Sequence, residues 1–404
     1  MAQLPLGGGN HPIWGASGGS STSMERRPGP LDGGLHAVEV WRAPPLRGED
    51  SGRVLSFYGG LKMGRRFSYP VFWLALPLLV GCAAPDGASS DTAATAADSE
   101  ADAAATPGPA TSDPYAHGFT DADYPRVIEV AEDVYAYEQI HPTGGEVITT
   151  VSLIVITPEG VLVADGQENP EETQRLVDTI AGMTDLPITH VIVASDHGDH
   201  TGGNSAFPAG ARFFAHPTSA AILEASAANP NRPEDAPPVV VPTEIVGNDT
   251  VLELGGREIR LLHLGRAHTG GDLVVYLPEG KVLFMSETYL KHIFPAMRSA
   301  YPSEWVAMLD RAIEMDVDVY VPGHGVMESP AILEAELVSF RDAVRAVVEE
   351  ATRLHGEGLS PEEAASAVSF GAVEEWSLRD SQKLRAIGRV YLELNGQLSG
   401  FLVP

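Results

Sequence analysis

Residues 195–204 contain the densest group of side chains that could bind a metal. His197, Asp199 and His200 stand in the pattern His-x-Asp-His. Imidazole nitrogens and carboxylate oxygens are donors that zinc takes in proteins. A turn can aim such closely spaced side chains at neighbouring points, and three glycines in the segment give it the freedom to turn. The pattern predicts a metal-binding loop; taken alone, it also fits a polar turn with incidental histidines.

Two further histidines stand in loops of the same kind. His268 lies in Gly-Arg-Ala-His-Thr-Gly-Gly-Asp, and His324 lies in Pro-Gly-His-Gly. Each histidine stands among glycines beside a predicted strand. Because three loops share this context, we predict one metal centre to which all three contribute.

Strands must bring these loops together. Residues 189–194 (THVIVA) are rich in β-branched side chains and predict a buried strand that ends directly before the first loop. Residues 317–321 predict a strand that ends just before His324. Folds of the α/β class place their ligands in loops at the carboxyl ends of strands, so we expect the histidines at such an edge.

The remaining pattern alternates between strands and helices. Before the first loop we predict strands at 127–130, 134–137, 147–156 and 161–164, and a helix at 171–183. After it we predict strands at 211–215, 250–254, 259–264, 273–277 and 282–285, and helices at 218–228 and 303–315, the latter capped by Ser303. Helices predicted at 331–355, 361–369 and 380–394 are assigned to packing outside the sheets, with no chemistry of their own.

The motifs resemble those of the metallo-beta-lactamase superfamily, over residues 128–327. The family pattern is His-x-His-x-Asp-His, a histidine in a Gly-His-Thr type loop, an acidic residue after a strand, and a last histidine in a Gly-His loop. The matching positions are Ser195, His197, Asp199, His200, His268, Glu287 and His324, and Asp165 matches the aspartate beneath the family's metal loop. The resemblance implies an α/β fold, a four-layer αββα sandwich, here with a helical C-terminal extension.

Two positions depart from the family pattern. Ser195 stands where the first histidine is expected, and Glu287 stands where an aspartate is common. The family's second ligand set is complete: Asp199, His200 and His324. The other set is reduced to His197 and His268, unless Glu287 reaches into the gap. We therefore expect one tight zinc site and a second that is weak or absent.

The resemblance implies a zinc-dependent hydrolase acting on a small molecule. A metal-bound hydroxide would attack an ester, lactone, thioester or amide, with Asp199 orienting the water. His197 would be free for acid–base work if its metal position were empty. The alternative is a catalytically inactive metal- or substrate-binding lipoprotein of the same fold, which the loss of a ligand at Ser195 motivates.

Residues 63–82 have the layout of an export signal. A basic start at 63–67 precedes the apolar run 71–81, which is too short for the ~20 residues of a spanning helix. The run ends in Leu-Val-Gly-Cys, which resembles a bacterial lipobox and implies lipidation of Cys82, the only cysteine. We expect a secreted, periplasmic or cell-surface lipoprotein of a bacterium, held at the membrane only through Cys82. Residues 1–62 are predicted to be untranslated or disordered.

Composition sets the domain boundaries. Residues 83–123 are rich in small and polar side chains and predict a disordered tether, followed by the metal-binding domain at 124–330 and the helical extension at 331–404. From Cys82 onward the chain has 18 Lys and Arg against 50 Asp and Glu. Such a charge repels phosphate backbones, so no nucleic acid is expected as a partner. No protein partner is predicted.

Overall fold

The computed structural model describes residues 109–328 and 332–398. The predicted export signal at 63–82, with Cys82, lies outside these residues, as do residues 1–62 and most of the predicted tether. No helix in the described ranges is long and apolar enough to cross a membrane.

The described residues form twelve strands and seven α-helices. The first seven strands are β1 (Arg126–Ala131), β2 (Val134–Thr143), β3 (Glu146–Thr157), β4 (Gly160–Ala164), β5 (Ile188–Val193), β6 (Arg212–Ala215) and β7 (Glu244–Ile245). The next five are β8 (Asp249–Leu254), β9 (Arg257–Leu262), β10 (Val274–Leu277), β11 (Val282–Leu290) and β12 (Val319–His324). The helices are α1 (Pro170–Met183), α2 (Gly198–Thr201), α3 (Pro217–Ala227), α4 (Pro302–Ile313), α5 (Glu334–Gly356), α6 (Pro361–Ala367) and α7 (Arg379–Leu394).

The strands follow one hydrogen-bonded path that divides into two sheets. Its order is β7-β6-β5-β4-β3-β12-β11-β10-β9-β8, and β2 and β1 extend from β3. The join between β3 and β12 rests on one pair, Thr150 with His324. The two sheets therefore meet at a residue predicted to bind metal.

Alternating side chains of the first sheet face two different cores. Leu153 and Val155 pack in the core that also includes the second sheet, whereas Ile154 packs with Leu176 of α1 in a separate cluster. This alternation follows from the two-residue period of a strand. Helix α1 thus covers the outer face of the first sheet.

Helices α4 and α5 cover the second sheet. The ring of Phe340 in α5 lies 5.6 Å from that of Tyr289 in β11 and 5.7 Å from that of Trp305 in α4. All three side chains are buried. The order of layers is helix, sheet, sheet, helix, and α5 to α7 form the helical extension. The predicted αββα sandwich with a C-terminal extension is confirmed.

Several boundaries differ from the predictions for local reasons. Helix α4 begins with Pro302 at its first turn, and Ser303 donates to Glu393 instead of capping the helix. Strand β11 continues to Leu290, which includes Glu287 in the strand. The described part of the predicted tether, residues 109–123, packs on the domain. The Ser112 side chain is buried there, and its hydroxyl donates to the carbonyl of Lys291.

Candidate metal centre

The side chains predicted as ligands come from four separate segments and meet at one place. Two groups of donors have all their atoms within 4.8 Å of one another, and they share Glu287. The first group is Asp199, His200, Glu287 and His324. The second group is His197, His268 and Glu287. That these residues bind a metal stays a prediction.

The two histidines of the first group direct one ring nitrogen each into the site. Nδ1 of His200 lies 3.0 Å from the Asp165 carboxylate, and Nδ1 of His324 lies 2.9 Å from the carbonyl of Thr149. A carboxylate and a carbonyl are acceptors, which favours the tautomer that carries the proton on Nδ1. The opposite nitrogens, Nε2 of His200 and Nε2 of His324, then lie 3.1 Å apart.

This spacing suits a positive charge between them, which can be a shared proton or a metal ion. Two neutral imidazoles protonated at Nδ1 would face each other with unshared electron pairs in a buried site, which is unfavourable. A metal ion satisfies both nitrogens, and Asp199 adds an oxygen donor 3.2 Å from Nε2 of His324. A histidine whose second nitrogen bonds a carboxylate or carbonyl is the usual arrangement around protein metals. The first group fits a zinc ion.

Glu287 completes the second group. One carboxylate oxygen lies 2.7 Å from Nδ1 of His197, and the other lies 3.3 Å from Nε2 of His268. The hydroxyl of Ser195 donates to Glu287 at 2.7 Å. Ser195 therefore acts on the site through Glu287, and the glutamate reaches the gap that the missing histidine leaves. The second group has three donors, not two.

The second group has less outer support than the first. Nδ1 of His268 is buried without a hydrogen-bond partner among the described residues, whereas Nδ1 of His200, which makes no well-aligned hydrogen bond either, lies 3.0 Å from the Asp165 carboxylate. The free nitrogen of His197 lies 3.3 Å from the Ser299 hydroxyl. Because outer partners fix ligand orientation and raise affinity, a metal in this group should be held less tightly.

The charges of the centre also favour a cation. Burial alone would lower the pKa of His324, but hydrogen bonds with Asp199 and Glu287 outweigh it and raise the pKa to about 10. Burial likewise opposes protonation of His197, yet attraction to Glu287 raises its pKa to about 9. Without a metal, the site would therefore take up protons to balance its carboxylates.

Asp165 organises the loop beneath the centre. Its carboxylate accepts from the backbone N–H groups of Ala194 and Ser195 at 2.8 and 3.3 Å and from the hydroxyl of Ser286 at 2.5 Å. It also lies 3.0 Å from Nδ1 of His200. Asp165 has φ 61°, a strained conformation for a residue with a side chain. These contacts hold it there.

The predicted metal-binding loop is helical where we expected a turn. Residues Gly198–Thr201 form α2, whose backbone places Asp199 and His200 in the first group while His197, just before it, joins the second. The loop then packs tightly: a Cβ at Gly203 would overlap the carbonyl of Asn169 and the Thr173 hydroxyl. A close backbone approach explains the glycine at this position.

His141 also lies at the site, and the sequence did not predict it. It lies near the end of β2, with Nε2 3.8 Å from Asp199 and Nδ1 3.3 Å from Glu168. Nothing near it in the sequence resembles a metal motif. Its place follows from the register of the β2–β3 hairpin, which sets it opposite Ile148, two residues from the strand position next to His324.

A cavity of about 620 Å³ opens over the centre. Its lining includes both ligand groups, except His200, together with His141. Residues of α7 also line it: Gln382 and Arg385, with Leu378 just before the helix. The expectation that the C-terminal helices only pack on the sheets is therefore wrong for α7, whose first turns face the site.

Comparison with known proteins points to one superfamily. Residues 144–324 match the family model described as the metallo-beta-lactamase superfamily. A type 2 metallo-beta-lactamase of Bacillus cereus is 22% identical over 212 residues, which are 51% of this chain and 79% of that protein. A linear primary-alkylsulfatase of a Pseudomonas species is 22% identical over 261 residues, 54% of this chain and 49% of that protein.

Among solved structures, a metallo-beta-lactamase from Pontibacter korlensis aligns with a TM-score of 0.48 and 23% identity, covering 55% of this chain and 98% of that one. The sequence matches place hydrolases among the homologues, and the described residues hold a cluster able to bind a metal. The domain that includes residues 144–324 belongs to the metallo-beta-lactamase superfamily.

Proposed function

We propose that the chain is a zinc-dependent hydrolase that cleaves an ester, lactone, thioester or amide of a small molecule. The observation that carries the proposal is the meeting of two ligand groups at Glu287, within a cavity large enough for such a substrate. Zinc held in such a centre supplies a water of lowered pKa and a Lewis acid for the substrate carbonyl.

Asp199 is the side chain best placed to orient the attacking water. It is the most exposed member of its group, with 23% of its side chain accessible, against 4% for His324. Burial and the neighbouring Glu287 oppose its ionisation, but His324 and His200 outweigh them and lower the pKa of Asp199. The carboxylate therefore stays ionised and able to accept a hydrogen bond at neutral pH.

In this proposal His197 is a metal ligand and does not orient the water. Its Nδ1 faces Glu287 and Nε2 of His268, at 2.7 and 3.2 Å, in the position of a ligand. It serves as a ligand when the second group is filled. Only with that group empty would His197 be free for proton transfer.

The names of the relatives do not select one bond. They include lactamases, an alkylsulfatase and a 2,4-dinitroanisole O-demethylase subunit of a Nocardioides species, 23% identical over 211 residues. Fold alone does not decide the substrate, so the cleaved bond has to be found by assay.

The proposal is tested by removing and restoring the metal. The protein is treated with a chelator, reloaded with zinc, and assayed against p-nitrophenyl esters, a thioester, a lactone and a chromogenic β-lactam. We expect activity that chelation removes and zinc restores, above the rate with the same concentration of free zinc. Bound zinc without any such turnover would favour the inactive binding lipoprotein instead.

A further inference from the structure

Helix α7 forms one wall of the cavity. Gln382 and Arg385 line it, at a spacing of three residues that places them on one helix face, and Leu378 lines it just before the helix. This wall comes from the C-terminal extension, beyond residue 324 where the family match ends.

The start of α7 is fixed to the catalytic domain. The N–H of Leu378 donates to both carboxylate oxygens of Glu146 at 3.0 Å. The N–H of Ser377 donates to the carbonyl of His292 at 3.0 Å, and the N–H of Phe294 donates to the carbonyl of Ser377 at 2.9 Å. These bonds hold the wall in a defined position next to the cavity.

Arg389 fixes α7 to a second part of the cavity lining. Its buried guanidinium donates to the carbonyls of Ala300 and Ser299 at 2.6 and 3.2 Å. Arg385 lies one helical turn before Arg389, and Arg298 directly precedes Ser299. The contact therefore holds the segments that carry Arg298 and Arg385 against each other.

The guanidinium groups of these two arginines have no partner among the described residues. Arg298 and Arg385 make no ion pair and no side-chain hydrogen bond within residues 109–328 and 332–398, and both are exposed. The third arginine of the lining, Arg232, donates to the carbonyl of Pro237. The whole chain has 55 acidic residues and 26 basic ones. With so many carboxylates available, two arginines beside a cavity that pair with none of the described ones are unusual.

We infer that Arg298 and Arg385 form an anion-binding subsite, so that the substrates of this hydrolase carry an oxyanion, such as a carboxylate or sulfate, on the part that is not cleaved. Guanidinium groups bind planar oxyanions through paired, charge-assisted hydrogen bonds. The acidic side chains of the cavity, Glu168, Asp196, Asp199 and Glu287, lie at or near the metal ligands. The substrate would thus span two regions, its reacting group at the centre and its anion at the arginines. The inference rests on the proposed function.

Matched esters test this specificity. The zinc-loaded protein is assayed with p-nitrophenyl valerate, which is neutral, and mono-p-nitrophenyl glutarate, which ends in a carboxylate. We expect the wild type to favour the glutarate ester in kcat/KM. Arg298→Gln and Arg385→Gln should each reduce that preference about tenfold, the effect of losing one charged hydrogen bond, and leave the valerate ester unchanged. Arg385→Lys should restore part of it.

Arg345→Gln is the matched control, because Arg345 on α5 is paired with Asp310 of α4 and does not line the cavity. An equal loss of preference in Arg345→Gln would show an effect of net charge alone and overturn the subsite. Equal effects of Arg385→Gln on both esters would assign the arginine a structural role and overturn it as well.

A binding measurement separates this inference from the proposed function. Calorimetry compares glutarate with butyrate on the zinc-loaded protein. If no ester is hydrolysed but glutarate binds more tightly and the arginine variants remove the difference, the proposed hydrolase is wrong and the subsite stands. If esters are hydrolysed but glutarate has no advantage that depends on Arg298 or Arg385, the subsite is wrong and the hydrolase stands.

Discussion

Glu287 has one methylene more than the aspartate common at its position in the family, and that extra reach brings its carboxylate to both ligand groups. It lies within 3.5 Å of His197, His268 and His324. Ser195, in the place of the missing histidine, donates to it. The two departures from the family pattern therefore form a contact with each other, and together they retain a three-donor second group.

Single substitutions should separate ligands from outer partners. Asp199→Ala and His324→Ala remove donors of the first group, so we expect activity below detection in hydrolase assays. Ser195→Ala removes only a hydrogen bond to Glu287 and should cost no more than the roughly 10–100-fold of an outer partner. His355→Ala, in α5 and outside both groups, is the control. Loss of activity in Ser195→Ala equal to that of His324→Ala would mean that the serine is itself a ligand.

Metal binding should depend on pH because protons compete for the same side chains. In the metal-free site the pKa values of His324 and His197 are raised to about 10 and about 9, so both are protonated at pH 7. Zinc must displace these protons, and its apparent affinity should rise as pH increases from about 6 towards 9. Calorimetry in buffers of different ionisation enthalpy would report the proton release. Zinc binding without proton release would contradict these protonation states.

At the scale of elements, the loop that carries the ligands depends on a close approach to the segment before α1. The N–H of Gly203 donates to the carbonyl of Gln167 at 2.9 Å, and a side chain at Gly203 would overlap Asn169. Gly198, in the same loop, has no heavy atom of the described residues within 4 Å of the position that a Cβ would take.

Alanine should therefore destabilise the protein at Gly203 but not at Gly198. Gly203→Ala should lower the free energy of unfolding by about 1–3 kcal/mol through overpacking. Gly198→Ala lies in α2 and should change it little, or raise it by up to about 1 kcal/mol. Denaturant unfolding of the metal-free proteins would measure both. A Gly203→Ala protein as stable as Gly198→Ala would show that the loop can move away from Asn169.

The sequence predicted which side chains meet at the centre better than it predicted the residues around them. His197, Asp199 and His200 are close in the chain and stand in a recognisable motif, so residue types and spacing were sufficient. His141 depends on the register of two strands, and α7 depends on how a helix docks through Ser377 and Arg389. Such packing is set by contacts between distant segments, which helical or strand periodicity does not encode.

At the scale of the whole molecule, the export signal and the anchor remain proposals from the sequence. We propose that residues 63–82 direct export and that Cys82 is lipidated, because the apolar run ends in Leu-Val-Gly-Cys. Mass spectrometry of the protein from its native membranes should then find an N-terminus at Cys82 with an added lipid mass. A free thiol at Cys82, or peptides from residues 1–62, would contradict this.

The central claim is that Glu287 joins two metal-binding groups into one centre, and zinc titration tests it most directly. The wild type should bind two zinc ions, the first more tightly, because Asp165 and the Thr149 carbonyl lie beside Nδ1 of His200 and His324, whereas no described residue bonds Nδ1 of His268. Glu287→Ala leaves three donors in the first group and two in the second, so it should bind one. A wild type that binds a single zinc at saturation, or a Glu287→Ala protein that still binds two, would contradict the account.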